Sequence, residues 1–275
     1  MKKALITGVT GQDGSYLAEF LLKKGYNVHG ILKRNSIAEN QTARLEHIYP
    51  IIKYNLYHGD MCDMASLLSV INKVKPDEIY NLAAQSHVKI SFDQPIYTSN
   101  TIAGGILNLL EIVRTLHPEI KVYQASSSEM FGNSLDDDGF QRETTPMHPV
   151  SPYACAKLFA YNLMKCYRKS YDIHASNGIL FNHESPRRGE NFVTNKVVIG
   201  AVKIKKGMQK KLHLGNLDST RDWGHAKDYV KIMWQILQLD EPDDFVCATG
   251  TSHTVRHLCD YTFSQLGMNY EDHVE

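Results

Sequence analysis

The first half of the chain alternates short apolar runs with longer amphipathic stretches. Residues 3–7 form an apolar run typical of a buried parallel strand, and residues 15–24 carry apolar side chains at helical spacing. Further runs at 26–31, 54–58, 78–82 and 121–125 predict more strands. This alternation continues to about residue 175 and predicts an α/β fold built on a doubly wound parallel sheet.

The second half of the chain follows a different pattern, in which helices predominate. Residues 191–206, 225–238 and 255–266 are predicted to be helical, and residues 212–214 to form a short strand. The 275 residues suffice for one α/β domain and a smaller lobe. We predict a first domain at 1–180 and a smaller lobe at 181–275, some of whose segments return to the first domain.

Three glycines separate the first predicted strand from the first predicted helix. Gly8, Gly11 and Gly14 have the spacing G-x-x-G-x-x-G, which allows a tight turn and a close approach of the backbone to a pyrophosphate. The strand-turn-helix context favours a dinucleotide site and a Rossmann-type sheet. An ordinary glycine turn is the alternative interpretation.

The end of the second strand indicates which dinucleotide is bound. A cofactor with a free ribose hydroxyl usually meets an acidic residue there, but this chain has the basic and polar run Lys33, Arg34, Asn35 and Ser36. A guanidinium binds phosphate in a bidentate manner. We therefore predict NADP rather than NAD, with a solvated basic loop as the alternative.

Later strand ends supply further candidates for the same site. Asp60 follows the third strand, where its carboxylate would accept a hydrogen bond from an adenine amine. The fourth strand leads into Ala83 and Ala84, whose small side chains would let the chain pass close to a cofactor. Tight packing of that turn explains the small residues equally well.

Candidate catalytic groups follow the fifth strand and open a later helix. Ser126, Ser127, Ser128 and Glu129 are predicted to lie beyond the carboxyl end of this strand, where α/β sheets bind ligands. Ser151 and Pro152 are typical of a helix start. Tyr153 and Lys157, four residues apart, would then share one helix face. An ammonium beside a phenol favours the phenolate, so the pair is a candidate base.

Composition excludes several other classes of protein. The formal net charge is +0, so there is no electrostatic case for nucleic acid as a partner. No apolar stretch reaches membrane-spanning length, and the start of the chain lacks a signal-peptide pattern. The 5 cysteines form no C-x-x-C pair, and the 13 histidines lack ligand spacing. We expect a cytoplasmic protein with free thiols and no metal.

The chain resembles the extended short-chain dehydrogenase/reductases, and within them the GDP-mannose 4,6-dehydratase family. The matching segments lie at 4–25, 77–92, 123–129 (YQASSSE), 151–157 (SPYACAK), 177–189 (NGILFNHESPRRG) and 221–231 (RDWGHAKDYVK). The resemblance implies dehydration of GDP-mannose to GDP-4-keto-6-deoxymannose, with internal hydride transfer from C4 to C6 through NADP. It also implies a homodimer or homotetramer, with the loop at 35–42 near the subunit interface.

The resemblance also assigns roles to individual residues. It implies cofactor binding by the glycine turn and by the ends of the following strands: Gly8, Thr10, Gly11, Gln12, Asp13, Gly14, Lys33, Arg34, Asn35, Ser36, Asp60, Met61, Leu82, Ala84, Gln85, Ser86, Tyr97, Tyr153, Lys157, His183 and Arg188. The implied catalytic residues are Ser127, Glu129, Tyr153 and Lys157. The implied substrate-binding residues are Ser86, Ser127, Ser128, Glu129, Asn182 and Arg221.

Glu129 distinguishes a dehydratase from related enzymes, because only elimination needs a base for the C5 proton. A 4-epimerase or reductase, another nucleotide-sugar 4,6-dehydratase and a catalytically silent NADP-binding protein remain alternatives. The chain departs from the family at Ser127, where the family usually has Thr, and at Ala83, where it mostly has Gly. Family chains continue well beyond the equivalent of Glu275, so we expect a shortened substrate lobe.

Overall fold

The computed structural model describes residues 1–35 and 40–275. The strands are β1 (Lys3–Thr7), β2 (Asn27–Leu32), β3 (Leu56–His58), β4 (Glu78–Asn81), β5 (Lys121–Ser127), β6 (Ala175–Leu180), β7 (Asn182–Glu184), β8 (Thr220–His225), β9 (Asp244–Cys247) and β10 (Ser252–Thr254). The α-helices are α1 (Gln12–Lys23), α2 (Tyr49–Ile52), α3 (Met64–Val74), α4 (Val88–Asp93), α5 (Pro95–Ser99), α6 (Gly105–Leu116), α7 (Pro152–Tyr171), α8 (Val193–Lys205), α9 (Ala226–Gln238) and α10 (Val255–Ser264).

A seven-stranded parallel sheet organises most of the chain. Its strand order is β3-β2-β1-β4-β5-β6-β9, and each neighbouring pair is parallel. The direction of winding reverses between β1 and β4, which creates a crevice at their carboxyl ends. This arrangement confirms the predicted doubly wound, Rossmann-type fold.

Alternate side chains of the central strands enter two separate cores, because successive residues of a strand point to opposite faces. Ala4 and Ile6 pack with α1 and α9 on one face of the sheet. Leu5 and Ile79 pack with α3, α6 and α7 on the other face. Both faces of the sheet are therefore covered, and its carboxyl edge is left to carry the polar groups.

The chain divides into two compact units. The first comprises Met1–Leu180 and Ala226–Cys247, and it contains the seven-stranded sheet. The second comprises Phe181–His225 and Ala248–Glu275, and it contains a three-stranded sheet in the order β10-β8-β7. A third apolar core in the second unit is formed by α8 and α10 around Val197 and Phe263.

Several predicted boundaries differ from the structure. β5 extends to Ser127 because Ser126 and Ser127 pair with Ile179 and Leu180 of β6. The prediction that these two serines lie beyond the strand was therefore wrong, and only Ser128 and Glu129 follow it. α1 begins at Gln12, three residues earlier than predicted.

The predicted strand at 212–214 was also wrong. Leu212 forms only an isolated parallel bridge with Val274. A partner so distant in the sequence cannot be inferred from the local apolar pattern. Within 1–35 and 40–275, every helix is too short or too polar to cross a membrane.

Candidate active site

The glycine turn between β1 and α1 is closely packed. Gly8 has a φ of +69°, a conformation that L side chains rarely adopt. A Cβ on Gly14 would lie 2.3 Å from the Gly8 carbonyl oxygen, so this position requires glycine. The Gly11 amide donates to the same oxygen at 2.9 Å, and α1 starts at the next residue. The positive end of the α1 dipole therefore lies beside glycine backbone that no side chain covers, an arrangement suited to a pyrophosphate.

The side chain of Thr7 joins this turn to the loop after β4. Its Oγ1 accepts hydrogen bonds from the Leu82 and Ala83 amides, both at 3.1 Å, and donates to Asn81 Oδ1 at 2.6 Å. A Cβ on Gly8 would lie 3.0 Å from the Ala83 backbone. The two loops predicted to line a cofactor thus meet through a buried hydroxyl.

Other predicted residues of the β4 loop have defined contacts. The Gln85 side chain donates to the His87 carbonyl and to Thr98 Oγ1, both at 3.1 Å. Ala84 is half-buried, and Ser86 is exposed. Gln85 therefore stabilises the loop on which Ala84 and Ser86 lie.

Three of the residues predicted to bind the cofactor come together. Lys33 Nζ lies 3.1 Å from Asp60 Oδ2 and donates to the Tyr97 hydroxyl at 2.6 Å. Burial lowers the pKa of Lys33, but Tyr97 and Asp60 outweigh this effect, so its pKa is raised. Burial raises the pKa of Asp60, but the Cys62 amide and Lys33 outweigh it, so that pKa is lowered.

The neighbours of this ion pair differ in exposure. Arg34 and Asn35 are exposed, whereas Met61 is buried and its carbonyl accepts from Asn108 at 2.9 Å. Ser36 lies outside the described residues. Lys33 is therefore committed to contacts within the chain, and Arg34 presents its charge to solvent.

The end of β5 presents the predicted hydroxyl and carboxylate. Ser127 is buried as the last strand residue, and its Oγ accepts from the Glu129 amide at 3.3 Å. Ser128 and Glu129 are half-buried in the 3₁₀ turn Ser128–Phe131. This capping hydrogen bond fixes the first turn after the strand, so Ser127 determines the backbone orientation at Glu129.

The first two turns of α7 present the predicted phenol and ammonium. The Ser151 hydroxyl accepts from the Ala154 amide at 3.1 Å and caps the helix, with Pro152 at its first position. Tyr153 and Lys157 are both buried, and Lys157 Nζ lies 5.7 Å from the centre of the Tyr153 ring. The predicted pair therefore shares one buried helix face.

Lys157 also contacts the sheet. Its Nζ donates to the Ala125 carbonyl at 2.6 Å. Burial lowers the pKa of Lys157 to about 8, and the negative charge of Asp13 in the glycine turn opposes this shift. The Asp13 carboxylate therefore favours the charged form of Lys157.

A row of buried side chains links these parts, and sequence reasoning missed it. Asn81 Nδ2 donates to Gln124 Oε1 at 2.6 Å, and Gln124 Nε2 donates to the Ala125 carbonyl at 3.1 Å. The acceptor of Lys157 is thus connected through Gln124, Asn81 and Thr7 to the glycine turn. Polar residues inside otherwise apolar strands were the available signal, but their partners lie on other strands.

Arg44 is a further cation that sequence reasoning did not select. Its guanidinium donates to the Thr10 carbonyl at 3.4 Å, which places a positive charge beside the glycine turn. It follows β2 in a segment without a recognisable motif. No local spacing rule could have assigned it to this turn.

The remaining predicted residues belong to the second unit. Asn182 pairs with Trp223 between β7 and β8, and the buried His183 lies 2.7 Å through Nδ1 from the Phe181 carbonyl. The exposed Arg221 donates to the Thr220 carbonyl at 2.7 Å.

Arg188 is held within the second unit by two neighbours. Its Nε lies 3.1 Å from the Glu184 carboxylate, and its guanidinium carbon lies 3.7 Å from the centre of the Phe192 ring. These contacts fix the orientation of Arg188, whose predicted role at the cofactor stays a prediction.

The residues of the first unit fit a nicotinamide dinucleotide. The positions of Gly8 and Gly14 admit no side chain, which matches a turn that approaches a pyrophosphate closely. The same edge of the sheet carries a phenol, an ammonium and a carboxylate at Tyr153, Lys157 and Glu129. Such a set can exchange protons with a substrate while a bound dinucleotide exchanges hydride.

Replacing Lys157 with Met should stabilise the protein at neutral pH although it removes a candidate catalytic group. The folded-state pKa of about 8 lies below the ordinary 10.5, so the unfolded chain binds more protons between these values. Wild-type stability should therefore rise with pH across this window. Lys157→Met should be more stable by up to about 3 kcal/mol at neutral pH, and the difference should shrink by about pH 10.

Urea unfolding at the two pH values measures this difference. Lys169→Met, which removes an exposed amine from the same helix, controls for the change in formal charge. A Lys157→Met protein that is less stable than wild type at neutral pH would contradict the burial argument.

The comparisons with known proteins agree with this geometry. The family model described as GDP-mannose 4,6 dehydratase matches residues 5–275. The GDP-mannose 4,6-dehydratase of Vibrio cholerae is 54% identical over 274 residues, covering 97% of this chain and 73% of the relative. GDP-mannose 4,6 dehydratase 1 of Arabidopsis thaliana is 53% identical over 285 residues, covering 100% and 77%.

A solved structure of a related dehydratase has the same fold. The dTDP-glucose 4,6-dehydratase of Bacillus anthracis, crystallised in complex with NAD, has a TM-score of 0.83 at 26% identity and covers 100% of this chain and 84% of that chain. The family model and the curated relatives confirm the resemblance seen in the sequence, and the chain belongs to the GDP-mannose 4,6-dehydratase family.

Proposed function

We propose that this chain is an NADP-dependent hydro-lyase that converts GDP-mannose to GDP-4-keto-6-deoxymannose. The observation that carries the proposal is the presence of Glu129 on the same sheet edge as the Tyr153–Lys157 pair. An enzyme that only oxidises and reduces C4 needs the phenol and the ammonium. A second base is needed when a proton must also leave C5 so that water can be eliminated.

Tyr153 acts on the C4 hydroxyl of the hexose. The phenolate takes the hydroxyl proton. A bound NADP would supply the hydride acceptor for C4 and the hydride donor for C6. The ammonium of Lys157, buried on the same helix face, favours the phenolate electrostatically. The Ala125 carbonyl orients that ammonium at 2.6 Å.

Glu129 carries out the elimination. The 4-ketone makes the neighbouring C5–H acidic, and the Glu129 carboxylate removes that proton. The resulting carboxylic acid protonates the C6 hydroxyl, which leaves as water. Hydride supplied at C6 and a solvent proton added at C5 would complete the 4-keto-6-deoxy sugar, and loss of a proton from Tyr153 to solvent would restore the phenolate. We assign to Ser127 a hydrogen bond to the sugar hydroxyl, and we propose that Ser86, Ser128, Asn182 and Arg221 hold the rest of the nucleotide sugar.

Tyr153→Phe and Glu129→Gln should separate the oxidation at C4 from the elimination of water. Loss of positioned acid–base catalysis should lower the turnover of GDP-mannose by about 10²–10⁴ in each variant. Glu129→Gln should still oxidise C4, so reduced nicotinamide should accumulate, whereas Tyr153→Phe should show little. Mass spectrometry of products and nicotinamide absorbance measure the two stages.

Tyr167→Phe is the matched control, because Tyr167 is also buried on α7 but bonds to Glu111. Its turnover should stay near that of wild type. A wild-type product of unchanged mass would identify an epimerase, and a Glu129→Gln protein with normal turnover would remove Glu129 from the mechanism.

We propose that Arg34, rather than Lys33, selects NADP over NAD. Lys33 is already held by Asp60 and Tyr97, while the Arg34 guanidinium is exposed at the end of β2. Arg34→Ala should weaken NADP binding by about 10- to 100-fold, as expected for a lost charge-assisted pair, and should affect NAD little. Lys33→Ala should weaken both cofactors to a similar extent.

Calorimetric titration with each cofactor measures these affinities directly. The double variant Lys33→Ala/Arg34→Ala should lose far more affinity for NADP than for NAD. Equal losses of NADP and NAD in Arg34→Ala would contradict the assignment of the 2′-phosphate to Arg34.

We also propose that the protein works in the cytoplasm as a homodimer or homotetramer. The family resemblance supports this assembly, and we propose that the loop at 35–42 lies near the subunit interface. Part of that loop lies outside the described residues. Light scattering at micromolar concentration should show an oligomer, and a fully active monomer would contradict the proposal. Cell fractionation tests the location.

A further inference from the structure

A buried carboxylate lies away from the reacting groups. Asp244, the first residue of β9, has a side chain that is 6% exposed. Its Oδ2 accepts from the Arg168 guanidinium at 2.8 Å, and its Oδ1 accepts from Asn177 Nδ2 at 2.7 Å. Arg168 also donates to the Ala175 carbonyl at 2.9 Å. The carboxylate therefore joins α7 to β6 and β9.

Asn177 extends this contact toward the end of β5. Its side chain is completely buried, and its Oδ1 accepts from the Ser126 hydroxyl at 3.1 Å. Its Nδ2 also lies 3.3 Å from the Tyr161 carbonyl of α7. Burial and the Asp244 carboxylate raise the pKa of the Tyr161 phenol. Arg168, Asp244, Asn177 and Ser126 thus form one polar chain, which is buried except at the half-buried Arg168.

The two ends of this chain belong to the two elements that carry the reacting groups. Arg168 is on α7, the helix of Tyr153 and Lys157. Ser126 directly precedes Ser127, whose hydroxyl caps the turn that contains Glu129. A shift of α7 along the sheet would separate the phenol from the carboxylate, and the polar chain opposes such a shift.

We propose that Ser126, Asn177 and Asp244 are positioning residues that fix Tyr153 relative to Glu129, an inference that rests on the proposed dehydratase function. They touch neither substrate nor cofactor in this assignment. Buried ion pairs contribute little net stability, whereas their directional bonds restrict geometry. Misplacement of reacting groups by about 1 Å lowers the reaction rate by about 100-fold.

The chain offers a closely matched pair of variants to test this. Ser126→Ala removes the last hydroxyl of the polar chain. Ser176→Ala makes the same change in the neighbouring strand, where the fully buried Ser176 Oγ has no hydrogen-bond partner among the described residues. Packing effects should be similar in the two variants, but only the first breaks the polar chain.

Ser126→Ala should lower kcat for GDP-mannose by at least about tenfold, an effect expected of misplaced catalytic groups. Its KM and its melting temperature should stay close to those of Ser176→Ala, which should keep wild-type kcat. Ser126→Thr, which retains a hydroxyl, should recover most of the lost rate.

A double-mutant cycle tests whether Ser126 acts through Asn177. The combined variant Ser126→Ala/Asn177→Ala should be no slower than Asn177→Ala alone. Because both residues act through the same hydrogen bond, the second substitution should remove nothing further. Additive losses would overturn the proposal, as would equal kcat in Ser126→Ala and wild type or equal losses in the two serine variants.

Two further outcomes are distinguishable. An inactive but folded wild type would overturn the dehydratase function itself, before any comparison of variants. If Ser126→Ala does not fold, Asn177→Ala and Ser126→Thr carry the same test, and wild-type kcat in Asn177→Ala overturns the proposal.

Discussion

The buried ammonium of Lys157 is the constraint on which the rest of the site depends. A charge in the interior is costly unless it is hydrogen-bonded, and here the ammonium donates to the Ala125 carbonyl at 2.6 Å. That carbonyl lies near the carboxyl end of β5, so the helix, the strand and the ammonium must keep one relative position. The side chains of Thr7, Asn81 and Gln124 extend this requirement to the glycine turn.

The parallel sheet explains why such different groups meet. Each strand delivers its following loop to the same edge, so the glycine turn, the β4 loop and the Ser127–Glu129 segment converge without any long-range sequence signal. Apolar residues fill both faces of the sheet, while polar side chains inside the strands fix the spacing of its edge. Membership of the dehydratase family and the position of Glu129 then indicate that these groups carry out a dehydration.

Local patterns allowed part of this to be predicted from the sequence. The glycine spacing, the Ser-Pro helix start and the four-residue separation of Tyr153 and Lys157 each depend on neighbours in the chain. The sequence predicted that β5 ends at Ala125, whereas the strand continues to Ser127, because its extension depends on pairing with β6. The ion pair of Lys33 with Asp60 and the bond of Ser126 to Asn177 join residues far apart in the sequence. Such pairs become visible only when the sheet is assembled.

The path of the C4 hydrogen tests the central claim most directly. GDP-mannose deuterated at C4 should be converted by the full chain to a product lighter by one water, with the deuterium at C6 and a solvent hydrogen at C5. This pattern requires oxidation at C4, elimination and reduction at C6 within one site. Deuterium returned to C4 in a product of unchanged mass would contradict the dehydratase account.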